Sequence, residues 1–222
     1  MFKELKNAYK LIQYGLSVKK QILIASIFSL IGIALEIATK GTEPIGAFYF
    51  ILSGLFLHQM ILSSGVSTLI QSSPYKKKIQ CTYPYIAVVP WTYVTFTIMV
   101  IITWVFSRSA DPEKMYLYGK NMVYIGFLLL ITMTYFGIVY KYFIAATIGM
   151  VLSMTVPVTF VNIISNKNFP LLENFWLCVA MAYILLTAVS VLSWALSNWL
   201  YKKPLSKLAF MSAMTSSSGL AK

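Results

Sequence analysis

Long apolar runs alternate with short polar segments along most of this chain. Six of the runs are almost free of charge and come close to the roughly 20 residues that a helix needs to cross a hydrocarbon core of about 30 Å. They are residues 21–39, 45–63, 86–106, 121–140, 143–164 and 175–196. The pattern therefore predicts an all-α, polytopic integral membrane protein with six transmembrane helices.

The first twenty residues follow a different period. Phe2, Leu5, Tyr9, Ile12 and Leu16 recur every three or four positions, and lysines occupy much of the remainder. This spacing predicts an amphipathic helix over residues 1–20 that lies in the membrane interface. An ordinary solvated helix is the alternative.

The fifth run carries small residues at helical spacing. Ala145, Gly149 and Ser153 fall four apart, which predicts a face that another helix can approach closely. Pro157 is expected to bend the same helix. Lys141 alone separates the fourth run from the fifth, so we predict a very tight turn there.

Composition supports the membrane interpretation. The chain is 59% hydrophobic and 11% charged, with a mean hydropathy of +0.75, which leaves too little polar surface for a water-soluble domain of 222 residues. We predict a single transmembrane domain over residues 1–222. The net charge of +12 does not indicate nucleic acid, because the lysines stand beside apolar runs, where charge encodes membrane topology.

Most basic residues fall on one side of the six-span arrangement. Thirteen of the 18 lysines and arginines precede the first run, lie between the second and third or the fourth and fifth runs, or follow the sixth. They are Lys3, Lys6, Lys10, Lys19, Lys20, Lys76, Lys77, Lys78, Lys141, Lys202, Lys203, Lys207 and Lys222. By the positive-inside rule both termini, including the tail 197–222, are predicted to be cytoplasmic.

Known catalytic motifs are missing from the sequence. The single histidine rules out a zinc-protease helix, no GxSxG elbow occurs, and Lys114 stands where a phosphate loop ending at Gly119-Lys120 needs its first glycine. Cys81 and Cys178 show neither a disulfide framework nor metal-ligand spacing. We therefore predict no enzyme activity, no catalytic residue, no metal site and no cofactor in this chain.

Two polar residues inside apolar runs are speculative members of a substrate pathway. Glu36 lies one turn before Lys40, so its carboxyl group is expected to be neutral, paired with that lysine or near the head groups. His58 lies near the end of the second run, and a hydrogen bond to a neighbour is the simpler interpretation of it.

Residues 64–84 form a polar and basic loop between the second and third runs, with QSSPYKKKI from Gln71 to Ile79. Together with the six-span layout, this stretch resembles the membrane subunits of type-2 ABC exporters, particularly the small permeases of Gram-positive peptide export and immunity systems. The stretch LYKKPLS from Leu200 to Ser206 is similar to the family's exit from its last span. The segment between the fifth and sixth runs is shorter than in larger relatives.

The resemblance implies an exporter in a bacterial plasma membrane that moves an amphipathic or peptide-like substrate outward by alternating access. Its partners would be a cytoplasmic ATPase subunit, which would hold ATP and Mg²⁺, a second permease chain (identical or a paired homologue) and membrane lipid. The residues that it implies for coupling to the ATPase are Ser72, Ser73, Pro74, Tyr75, Lys76, Lys77 and Lys78. An ion-coupled secondary transporter, for which Glu36, His58 and Pro157 are the indications, and a non-transporting immunity or scaffold protein are the alternatives.

Overall fold

The fold is helical throughout the part of the chain that the structure, a computed structural model, describes: residues 2–12, 18–64, 72–111, 114–157, 159 and 170–203. Those residues contain no strand. The helices are α1 Phe2–Ile12, α2 Val18–Ala38, α3 Ile45–Ser64, α4 Lys76–Cys81, α5 Tyr83–Ser107, α6 Met115–Val139, α7 Phe143–Ser153 and α8 Phe175–Tyr201, with a short 3-10 helix at Pro170–Glu173.

Five stretches in the described residues are long and apolar enough to cross a membrane: Val18–Ala38, Ile45–Ser63, Lys76–Ser107, Met115–Val139 and Phe175–Tyr201. They confirm the predicted all-helical class and are compatible with a membrane-embedded protein. The predicted fifth span is described only as the shorter apolar helix Phe143–Pro157. Its remainder falls outside the described residues except for residue 159, so the count of six spans stays a prediction.

The helix α2 packs against α3 as an antiparallel hairpin. Gly32 and Gly46 let the two backbones touch, since a Cβ atom on Gly46 would lie 2.7 Å from the Gly32 carbonyl oxygen. Small residues at a crossing are typical of membrane helix pairs. Lys40 and Gly41 end α2 with φ angles of 54° and 72°, the left-handed conformation that commonly terminates a helix.

The helices α6 and α8 meet along a seam of small residues. A Cβ atom on Gly119 would lie 3.2 Å from the Cys178 sulfur, one on Gly126 would lie 3.4 Å from the Ala182 Cβ, and one on Gly137 would lie 3.0 Å from the Ser193 carbonyl oxygen. Residue numbers rise together along both helices, so α6 and α8 run parallel. The start of α8 therefore lies at the opposite end of the bundle from the end of α6.

Other contacts show which helix ends lie at each of these two ends of the bundle. We call the end that holds the last turns of α6 and α8 the lysine-rich end. There, the Tyr9 hydroxyl of α1 donates to the Ala87 carbonyl of α5 at 3.1 Å. The Cys81 thiol of α4 lies 3.8 Å from the Ser197 carbonyl of α8 at the same end. These contacts place α1, α4 and the last turns of α8 together.

At the opposite end, the turn after α2 contacts α6. The Asn121 side-chain amide donates to the Gly41 carbonyl at 2.9 Å. Gly119 packs directly against the Leu172 carbonyl of the 3-10 helix. The turn Thr39–Pro44, the start of α6 and the start of α8 therefore share this end.

The third apolar helix starts earlier than the sequence predicts. We predicted a loop over 64–84, but Lys76–Cys81 and then Tyr83–Ser107 are helical, so the loop prediction is wrong for those residues. Thr82 between the two helices keeps right-handed helical dihedrals. Pro84 does not end the helix, because it occupies the first turn, where no backbone N–H is needed.

The short turn at Lys141 is confirmed, since α6 ends at Val139 and α7 begins at Phe143. The regular helix α7 ends at Ser153, and Met154, one turn before Pro157, keeps right-handed helical dihedrals, so the predicted bend at Pro157 stays a prediction. Gly149 in the predicted small-residue stripe has no atom within 4 Å of a built Cβ. No described helix therefore packs closely on that stripe.

Candidate functional site

The residues singled out for coupling form an exposed turn followed by α4. We call Ser72–Lys78 the basic segment. Tyr75, at its centre, is 61% exposed, and its backbone N–H donates to the Ser73 hydroxyl at 3.2 Å. The Lys76 N–H donates to the Ser73 carbonyl at 3.1 Å, which closes the turn. Gln71, the first residue of the motif, lies outside the described residues.

The residues that attach the basic segment to the bundle are buried. Ile79, Gln80 and Cys81 follow Lys78 directly and are all buried. On the exposed side, the Lys78 ammonium lies 3.8 Å from the Glu4 carboxylate of α1. A half-exposed ion pair of this kind contributes only about 0–1 kcal/mol. The buried residues, rather than the ion pair, therefore fix the segment to the bundle.

Several side chains at the lysine-rich end donate to backbone carbonyls of α8. The Tyr85 hydroxyl lies 3.1 Å from the Ser193 carbonyl, and the Tyr140 hydroxyl lies 2.8 Å from the Ser197 carbonyl. Both of these carbonyls lie on the face of α8 that packs into the bundle. These hydrogen bonds join α5 and the end of α6 to α8.

Lys141 completes this set of donors. Its ammonium donates to the Leu200 carbonyl at 2.5 Å and to the Lys203 carbonyl, and the residue is only 2% exposed. Desolvation by burial lowers the pKa of the Lys141 ammonium. The sequence predicted a basic residue at the lysine-rich end, and the structure shows a buried donor to one carbonyl in the last turn of α8 and one just after it.

Glu36 lies buried at the opposite end of the bundle, with an exposure of 0%. The Thr103 hydroxyl donates to its Oε1 atom at 3.1 Å, whereas its Oε2 atom has no hydrogen-bond partner. Within the described residues, Lys40 forms no ion pair with Glu36, and the ion pairs there are Lys78–Glu4 and Lys114–Asp111. The carboxyl group therefore does not pair with Lys40.

His58 is buried against aromatic rings. Its imidazole stacks on Phe136, with ring centroids 4.2 Å apart and an interplanar angle of 17°, and its Nδ1 atom has no hydrogen-bond partner. Glu36 touches Gly46, and His58 lies twelve residues farther along α3, or about 18 Å along the helix axis. The structure therefore does not bring the two predicted pathway residues together.

Metal binding by clustered side chains finds no support in the described ranges, where no group of three or more His, Cys, Asp or Glu residues comes together. Cys81 and Cys178 are buried free thiols at opposite ends of the bundle.

The sequence did not reveal the donors Tyr85, Tyr140 and Lys141. The one signal for them was the spacing of Ser193 and Ser197, which marks a face of small residues on an apolar helix.

Comparisons with protein-family models, with curated proteins and with solved structures find no match for this chain.

Proposed function

We propose that this chain is the transmembrane subunit of an ATP-driven exporter of the ABC type, and that a separate ATPase drives it through the basic segment Ser72–Lys78. The observation that carries the proposal is the exposed Tyr75 on a basic turn that is held to the bundle by the buried residues Ile79–Cys81. A docking element has to combine an exposed contact surface with a rigid attachment, because otherwise the force applied by the partner would bend the element alone.

The contacts of α8 supply a route from this segment into the bundle. Cys81, which ends α4, touches the Ser197 carbonyl, and Tyr85, one turn farther along, touches Ser193. A displacement of the basic segment would therefore tilt α8 together with α5. This coupling between rigid helices is what alternating access requires.

The substrate pathway would lie between two chains. The cavity between α3, α5 and α6, lined in part by Thr92, Thr95 and Thr132, has a volume of about 20 Å³, whereas a groove between α6 and α7 has a volume of about 460 Å³. The smaller volume holds about one water molecule and cannot admit a peptide. The outward faces of α2 and α7 are instead largely exposed, so they are available to a second permease chain or to lipid.

The distribution of charge supports an orientation with the lysine-rich end in the cytoplasm of a bacterial cell. That end carries α1, the basic segment and Lys202–Lys203, whereas Lys40, Arg108 and Lys114 at the opposite end are offset by Glu43 and Asp111. The parallel α6 and α8 also favour six spans, because the residues between them have to return the chain across the length of the bundle. Both termini are then cytoplasmic.

Photo-crosslinking in native membranes tests the proposal. A photoreactive amino acid at Tyr75 is expected to capture an ATPase subunit, and the same group at Tyr116, an exposed tyrosine at the opposite end, is expected not to. ATP hydrolysis by the purified complex should then fall in the Tyr75→Ala variant and remain unchanged in Tyr116→Ala. Equal crosslinking from both positions, or ATP hydrolysis by the isolated chain, would refute the proposal.

An ion-coupled secondary transporter is the second candidate, and the buried Glu36 is the observation that favours it. Acidic groups inside the membrane commonly serve ion pathways. Uptake into proteoliposomes that contain only this chain, driven by a sodium or proton gradient without ATP, would establish this candidate in place of the exporter.

A further inference from the structure

Two buried oxygen atoms at the opposite end of the bundle lack hydrogen-bond donors. They are Oε2 of Glu36 and Oδ1 of Asn121, and the two side chains are 0% and 2% exposed. Both atoms are acceptors only, unless the carboxyl group is protonated. Leaving such an atom unsatisfied costs about 1–3 kcal/mol, and more for a charged group.

These two side chains belong to one polar cluster. Oε1 of Glu36 accepts the Thr103 hydroxyl at 3.1 Å, and that hydroxyl oxygen lies 3.0 Å from the position of a Cβ atom on Gly41. The Gly41 carbonyl accepts the Asn121 amide at 2.9 Å. Glu36, Thr103, Gly41 and Asn121 are thus neighbours in one chain of polar contacts where α2 ends against α5 and α6.

Glu36 supplies the acidic group of the cluster. An isolated buried carboxylate has to be paired or neutralised, and no ion pair joins Glu36 to a basic side chain of the described residues. Lys40 is exposed, and Arg108 stacks over the Trp104 ring at 3.9 Å. The carbonyls at the end of α2 add the negative end of the helix dipole to the same place.

We propose that this cluster binds a monovalent metal cation, with Glu36, Thr103, Asn121 and the Gly41 carbonyl as its oxygen ligands. Hard cations take oxygen ligands, and a carboxylate beside the carbonyls of a helix end is an arrangement that holds sodium in membrane proteins. A single charge on the ion balances the single carboxylate, whereas a divalent ion would leave an excess positive charge. The bound ion ties α2, α5 and α6 together. This inference does not depend on the proposed function.

Thermal unfolding of the purified full chain in detergent tests the site. Sodium chloride and potassium chloride are titrated against choline chloride at constant ionic strength and fixed pH. Because a ligand that binds only the folded state stabilises it in proportion to ln(1 + [L]/Kd), one of the two alkali ions is expected to raise the melting temperature with saturating dependence. Choline is expected to have no effect.

Variants locate the effect. Glu36→Gln is expected to abolish the response to the ion. Glu43→Gln, which changes an exposed acid in the turn after α2, is expected to preserve it. Thr103→Val should raise the half-saturating concentration about 10-fold or more, which provides a second measurement if Glu36→Gln does not fold. Equal melting curves in alkali and choline salts, a response only to pH, or an unchanged response in Thr103→Val would overturn the proposal.

Discussion

The buried Lys141 shows how one side chain can join the end of a helix to a distant turn. Its ammonium donates to the Leu200 carbonyl in the last turn of α8 and to the Lys203 carbonyl just after it, and the Leu200 carbonyl also accepts the Lys203 backbone N–H at 2.9 Å. Lys141 itself lies in the three-residue turn between α6 and α7. It therefore joins two helix ends that are about 60 residues apart in the chain.

We predict that Lys141→Met destabilises the protein while the matched change Lys202→Met does not. The methionine keeps the volume of the side chain but removes the charged donor, so the hydrogen bonds to the Leu200 and Lys203 carbonyls are lost at a cost of about 1–3 kcal/mol. Lys202 is exposed, so its replacement should stay within about 0.5 kcal/mol of the unchanged chain. Chemical unfolding in mixed micelles measures both, and equal stability of the two variants would contradict the assigned role.

Sequence reasoning was weakest at the scale of single residues. Lys141, Glu36 and His58 were recognised as unusual polar residues, but hydropathy cannot show whether a side chain faces lipid, water or another helix. Glu36 is buried because Gly46 and Thr103, which lie 10 and 67 residues away in the chain, create its environment. Such contacts have no signature in the local sequence.

Most of the helices themselves were predictable. The observed α2, α3 and α8 begin close to the starts that the apolar runs predict. The reason is that a helix without water around its backbone has to satisfy its hydrogen bonds internally. The start of the third span was wrong, because polar residues such as Lys76–Lys78 can continue a helix beyond the apolar region. The packing partners could not be predicted, and the small-residue seam was expected in α7 but occurs between α6 and α8.

We predict opposite results for two glycine substitutions in neighbouring helices. In Gly137→Ala, the new Cβ would lie 2.8 Å from the Ser193 hydroxyl oxygen, so α6 and α8 have to separate at a cost of about 1–3 kcal/mol. In Gly149→Ala, the new Cβ meets nothing within 4 Å, and alanine is favoured over glycine inside a helix by about 0.5–1 kcal/mol. Melting temperatures of the two variants should therefore fall and rise respectively. A fall of the same size in both would show that the seam is not the tight contact.

At the scale of the whole molecule, the aromatic residues support the membrane position of the bundle. Trp176 and Trp199 stand near the two ends of α8 and are both exposed. They are 23 residues apart, or about 35 Å along the helix, a separation that matches a hydrocarbon core of about 30 Å. Trp104 lies 5.9 Å from Trp176 between ring centroids, so α5 reaches the level of Trp176.

The proposed topology predicts which exposed positions share a compartment. Both native thiols are buried and should not react with a membrane-impermeant maleimide, so the unchanged chain serves as the blank. In right-side-out vesicles the reagent should label Tyr116→Cys and Glu173→Cys but not Lys6→Cys, Tyr75→Cys or Lys202→Cys, and inverted vesicles should give the reverse pattern. The reason is that the residues between α6 and α8 have to return the chain to the side on which α6 began.

Two outcomes would contradict this topology. Labelling of Glu173→Cys together with Tyr75→Cys would show that residues 143–164 do not cross the membrane. Labelling of Lys6→Cys and Tyr75→Cys from opposite sides would refute a cytoplasmic basic segment beside α1.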